Sequence, residues 1–150
     1  MANVLFVDDD PENVWPLALA LESHGHRVSV VADASAAMAF MRREFVQCLI
    51  TDYQMPDIDG IKLCQMVRAS PTIAGLPVVL LSAAPEPDGC PRCWTRFLRK
   101  PVQVGQLIEA VDAYIAERLT VARSPCRHAA GRFQYLSAAR WAPVNSACGP

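Results

Sequence analysis

This chain is built on a series of short apolar runs, each stopped by a polar residue. Val4-Leu5-Phe6-Val7 ends in Asp8-Asp9-Asp10, Cys48-Leu49-Ile50-Thr51 in Asp52, and Pro77-Val78-Val79-Leu80-Leu81 in Ser82. Runs this short and this continuously apolar fit strands buried on both faces, as a parallel sheet covered by helices requires. Two more strands are expected over 27–32 (RVSVVA) and over 96–99, the latter ending on Lys100-Pro101. Helical patterns fill most of the gaps. Residues 34–44 are rich in Ala and Met, 60–69 turn Ile61, Cys64 and Val67 inward, and Val104, Leu107, Ile108, Val111 and Ile115 make an apolar stripe at helical spacing. A first helix carries Val14, Leu17 and Leu21 on one face and stops at Gly25. Asp10 could cap it with Pro11 in its first turn, but Pro16 would then lie too deep, which favours a regular start at Asn13.

Strands alternating with helices imply parallel strands joined by right-handed crossovers, an α/β doubly wound sheet. In such sheets ligands bind outside the carboxyl ends of the strands. Asp8, Asp9, Asp52, Ser82 and Lys100 all sit at those ends. One connection breaks the pattern: AAPEPDGCPRCWTR, after Ser82, has three prolines and a glycine, so a helix there is expected to be shortened or absent.

With 52% hydrophobic residues the chain can bury a sizeable core, and no apolar run approaches the roughly 20 residues a membrane span needs. The start carries no basic, apolar leader pattern, so a cytoplasmic location is expected. Six cysteines are then expected as reduced thiols. The net charge of -1 hides a division: the last acidic residue is Glu117, while Arg123, Arg127, Arg132 and Arg140 follow. Residues 1–119 therefore read as a domain, and 120–150 as a basic, loosely held tail with at most a short helix over 133–141.

Clustered carboxylates repel one another unless a cation neutralises them, and oxygen donors without histidine favour Mg²⁺ over zinc. A carboxylate is also a competent nucleophile in phosphoryl transfer, a reaction that chiefly requires in-line positioning and neutralisation of the phosphoryl oxygens. Lys100 would supply positive charge and the Ser82 hydroxyl a hydrogen bond.

The segments LFVDDDPEN, LITDYQMPDIDG, VVLLSA and FLRKP, in this order, resemble the successive motifs of the response-regulator receiver family of two-component signalling systems. The resemblance spans about residues 3–119. It implies a flavodoxin-like sheet of order 2-1-3-4-5 and a phosphorelay role, with Asp52 receiving a phosphoryl group from a sensor histidine kinase or a histidine phosphotransfer protein. It also implies Mg²⁺ on Asp9, Asp52 and the backbone carbonyl of Gln54, with Asp8 acting through a metal-bound water. Ser82 and Lys100 would contact the phosphoryl group, with a cis Lys100-Pro101 bond. Phe97 would be an aromatic switch, given room by the small Ala83. Self-catalysed phosphorylation and slow hydrolysis of the aspartylphosphate follow, rather than a metabolic activity. The chain departs from the family after Ser82, where a fourth helix normally carries the output face. With no DNA-binding domain evident, a stand-alone regulator acting through protein–protein contacts is expected.

Other readings compete. Asp8-Asp9-Asp10 could be a helix cap, while Asp57 and Asp59 fit loop and helix-start positions better than ligands. Cys90-Pro91-Arg92-Cys93 is a CxxC pair, too few ligands for structural zinc unless Cys126 and His128 complete it. His24 and His26 flank Gly25, where capping or exposure is the expected role. The rival function is a haloacid-dehalogenase-type phosphatase with Asp8 as nucleophile, but Glu12 stands where that family's motif has Thr or Val. A third reading is a receiver-like docking scaffold that is never phosphorylated.

Overall fold

A computed structural model describes residues 1–123, without the side chains of 120–123. The expected tail, its helix at 133–141, Cys126 and His128 lie outside the described residues. The elements are β1 (Asn3–Val7), α1 (Pro11–Ser23), β2 (Arg27–Val31), α2 (Ala34–Arg43), β3 (Cys48–Asp52), α3 (Gly60–Ala69), β4 (Val78–Ser82), β5 (Arg96–Arg99) and α4 (Val104–Arg123). The strands form one parallel sheet in the order β2-β1-β3-β4-β5. Residues Met1–Glu117 make one compact unit.

The period-two alternation of each strand divides the core between two faces. Leu5, Val7, Leu49, Val78 and Leu80 pack with Ala37 and Met38 of α2 and with Leu63, Cys64 and Val67 of α3. Val4, Phe6, Ile50, Val79 and Leu81 pack with Val14, Ala18 and Leu21 of α1 and with Leu107, Ala110 and Val111 of α4. The strands β3 and β4 are buried throughout, which is why both are apolar up to the polar residues at their carboxyl ends, Thr51-Asp52 and Ser82.

Three of the four helices described begin on carboxylates. Asp10, Asp33 and Asp59 each accept a hydrogen bond from an N–H of the first turn, at 3.0, 2.8 and 2.8 Å. α1 therefore starts at Pro11 rather than Asn13. Pro16 is accommodated inside it because only the bond to the Glu12 carbonyl is forfeited, and both residues face solvent. Gly25, at φ +99°, ends the helix in the left-handed region. α3 buries Leu63 along with Cys64 and Val67, while Ile61, expected inward, is half-buried.

The segment 83–95 contains no helix. Trp94 takes the helix's place over the sheet: it is 4% exposed, lies in the cluster with Leu80, and donates its indole N–H to Glu86 at 2.7 Å. His24 is exposed at the end of α1, but His26 is buried, with its Nε2 2.9 Å from Asp112 Oδ1 of α4.

Candidate functional site

The carboxyl ends of β1, β3 and β5 carry the charged groups together. β1 ends at Val7 and delivers Asp8, whose backbone N–H reaches the Val31 carbonyl at 3.2 Å. Asp52 is the last residue of β3, paired with Leu81, and Lys100 follows β5 with its N–H 2.8 Å from the Ser82 carbonyl. Carboxylate oxygens of Asp8, Asp9 and Asp52 all lie within 4.8 Å of one another. The Lys100 ammonium reaches over them, with Nζ 3.0 Å from Asp52 Oδ1 and 3.8 Å from Asp8 Oδ2.

Burial differs within the cluster. Asp8 and Asp52 are buried, while Asp9 and Asp10 face solvent. Desolvation pushes the Asp8 carboxyl above its ordinary value. The Asp10 N–H, 2.9 Å from Asp8 Oδ1, pulls the other way, the Asp52 charge raises it further, and Lys100 offsets part of that. Three oxygen donors this close, with no histidine or cysteine in the group, suit a hard divalent cation.

The other expected residues surround this centre. Ser82, fully buried, ends β4 at the same edge, and its Oγ accepts a hydrogen bond from the Ala84 N–H at 3.0 Å. Ala83 is exposed beside it, and its carbonyl accepts from Arg99 Nε at 2.9 Å. Gln54 is exposed in the loop from β3 to α3. Phe97, opposite Leu80 in β5, is half-buried against the face covered by α2 and α3. The Lys100-Pro101 bond is cis. Asp57, at φ +66°, shapes the loop, and Asp59 caps α3, so neither joins the cluster.

In the sequence Gly60 marks only the first residue of a helix. A Cβ there would run into the backbone oxygen of Asp52 and stand 2.8 Å from Leu80 Cδ1. The Gly60 N–H instead donates to the Tyr53 carbonyl at 2.8 Å. α3 thus docks directly on the strand end that presents Asp52. The signal was available in the glycine closing TDYQMPDIDG.

A family model for the response regulator receiver domain matches residues 4–112. The chain belongs to this family. The receiver domain is similar to the uncharacterized 14.6 kDa protein in the sodA1 3′ region of Leptolyngbya boryana, with 35% identity over 116 residues, covering 75% of this chain and 88% of that protein. It is 30% identical over 135 residues to the response regulator PleD of Caulobacter vibrioides, covering 87% of this chain but only 30% of PleD. Among solved structures it resembles a sensor protein from Polaromonas sp. JS666, with a TM-score of 0.72 and 26% identity over 77% of this chain and 97% of that one. The sheet order and the acidic cluster place the receiver domain's charged residues on a single edge.

Proposed function

We propose that Asp52 accepts a phosphoryl group from a phosphohistidine of a sensor histidine kinase or histidine phosphotransfer protein. The observation that carries this reading is the contact of Lys100 Nζ, 3.0 Å from Asp52 Oδ1, above an acidic cluster at the strand ends. One Asp52 oxygen attacks phosphorus; the O–P bond forms as the N–P bond breaks, and the leaving imidazole keeps the electron pair. Lys100 balances the negative charge gathered there, and the Ser82 hydroxyl, already accepting from Ala84, retains its proton for a phosphoryl oxygen. Asp9, Asp52 and the Gln54 carbonyl would hold Mg²⁺, with Asp8 reaching it through water. The ion, when bound, neutralises phosphoryl oxygens that the carboxylates would otherwise repel.

The same centre would catalyse slow hydrolysis of the acyl phosphate, and turnover of a metabolite is no part of the reading. Residues 1–119 form the receiver in this proposal, and 120–150 a basic appendage. Phe97 would report the state of Ser82 through the space beside Ala83. Output would pass to a downstream protein through protein–protein contacts.

The test is incubation with Mg²⁺ and acetyl phosphate, borohydride trapping and mass spectrometry. Label on Asp52, lost in Asp52→Asn, supports phosphoacceptance. Label on Asp8 with rapid turnover would show a phosphatase of the haloacid-dehalogenase type instead. Absence of label with every phosphodonor would leave a docking scaffold.

A further inference from the structure

The CxxC pair plays no part in phosphoryl transfer, and the structure gives one of its members a different neighbour. Cys93 lies at the end of segment 83–95, and its Sγ is 3.8 Å from the Ile61 carbonyl of α3. One helical turn further along α3 is Cys64, whose buried thiol interacts with that of Cys93. Both residues belong to the cluster around Leu80 and Trp94. The arrangement is fixed from two sides. Arg68, one turn beyond Cys64, donates its Nε–H to the Cys93 carbonyl at 2.9 Å, and Trp94 is packed immediately after it. We propose that Cys64 and Cys93 are a redox-sensitive pair, joined by peroxide into a disulfide that ties segment 83–95 to α3.

The chemistry divides by accessibility. Cys64 is fully buried, and desolvation, then the neighbouring Cys93 thiol, hold it protonated well above the ordinary thiol range. Cys93 is half-buried and is the group a small oxidant meets first. Its thiolate attacks hydrogen peroxide: an S–O bond forms, the O–O bond breaks, and hydroxide leaves, giving a sulfenic acid. Cys64 sulfur then attacks the sulfenic sulfur. The S–S bond forms, the S–O bond breaks, and the departing hydroxide takes the Cys64 proton as water. Two thiols and one peroxide give one disulfide and two waters; a dithiol reductant reverses the bond by exchange. Cys48 lies in the other core cluster, where burial pushes its thiol up to about 12, and is outside the reaction.

The inference is independent of the phosphorylation reading and is tested without it. The full chain is treated with stoichiometric hydrogen peroxide, alkylated, cut with trypsin and mapped without reduction. Cleavage after Lys62, Arg68, Arg92 and Arg96 places Cys64 in peptide 63–68, Cys93 in 93–96 and Cys90 in 69–92, so each pairing has its own mass. The expected product is 63–68 joined to 93–96. It should be released by dithiothreitol, kept in Cys90→Ser and lost in Cys93→Ser, which leaves the buried thiol in place and does not threaten the fold. A bridge between 69–92 and 93–96, a bridge to a cysteine beyond residue 123, or over-oxidation of Cys93 without a bridge would each overturn the assignment.

Discussion

Gly60→Ala puts a single methyl group between α3 and the strand that carries Asp52. The new Cβ meets the Asp52 backbone oxygen, Leu80 Cδ1 at 2.8 Å and Tyr53 Cα at 3.0 Å. Leu80 can rotate, but the two backbone atoms lie at the end of β3, held to β4 by the Tyr53 N–H bond to the Leu81 carbonyl, and cannot yield alone. α3 must lift, which strains or breaks the Gly60 N–H bond to the Tyr53 carbonyl at 2.8 Å. Overpacking of this kind costs about 1–3 kcal/mol, and a lost hydrogen bond about 1 kcal/mol. With a urea slope of roughly 1–3 kcal/mol per M, the unfolding midpoint should fall by on the order of 1 M. The matched control is Gly105→Ala in α4, where a Cβ has open space and helix propensity favours alanine by up to about 1 kcal/mol. Acetyl-phosphate labelling adds a second reading: with the variant held fully folded, its labelling rate should still fall, because lifting α3 pulls on the loop that joins it to Asp52. A Gly60→Ala midpoint equal to that of the parent, or below it by no more than the Gly105→Ala variant shifts, would refute the claim that this contact is closed.

Arg68→Lys should destabilise the chain by about 1–3 kcal/mol in urea unfolding, because an ammonium cannot replace a planar fork that reaches the carbonyls of Cys93, Ala74 and Leu76 at 2.9, 2.9 and 2.6 Å. In metal-free buffer the raised Asp8 value has a definite sign. The folded state binds this proton more tightly than the unfolded chain, whose value is near 3.8, so the cost of the charged form is absent below 3.8 and appears as pH rises through the higher folded value. Asp8→Asn should therefore be more stable than the parent at neutral pH, with the difference shrinking toward acid in pH-dependent denaturation. If the acidic cluster holds Mg²⁺, adding the ion at 100 times its dissociation constant should stabilise the parent by about 2.7 kcal/mol. Asp9→Ala should need far more Mg²⁺ for the same thermal shift.

The sheet was legible because burial on both faces leaves a plain trace: β3 and β4 are buried at every position, and their sequences are apolar until the residue that meets the ligand edge. The grouping of Asp8, Asp9, Asp52 and Lys100 followed from strand ends alone, since parallel strands present their carboxyl termini on one side. Other features depended on contacts that leave no local period. The phase of α3, with Leu63 inward and Ile61 only half-buried, is set by where Gly60 docks on Asp52. The partner of His26, and of His24, is Asp112 of α4, and histidines at a helix end give no sign of it. The start of α1 at Pro11 departs from the expected Asn13 because Pro16 costs only the bond to an exposed carbonyl near the helix start.

The segment after Ser82 shows how the fold can lose a helix and keep its core. A missing helix would uncover the face of Leu80 and Val78 and leave its own backbone without regular partners. Both deficits are met by single side chains. Trp94 supplies the buried surface, at 4% exposure, and its N–H is satisfied by Glu86, which also lies 3.5 Å from Arg92. Arg68 supplies donors to the Cys93 carbonyl and to Thr95 Oγ1, while Thr95 Oγ1 in turn accepts from the Val78 N–H at 3.0 Å. The result is a junction held by a few specific contacts where a helix would distribute them over many residues. Its stability is therefore concentrated at Trp94 and Arg68. Changes at these two residues should therefore loosen the whole connection from Ser82 to Phe97.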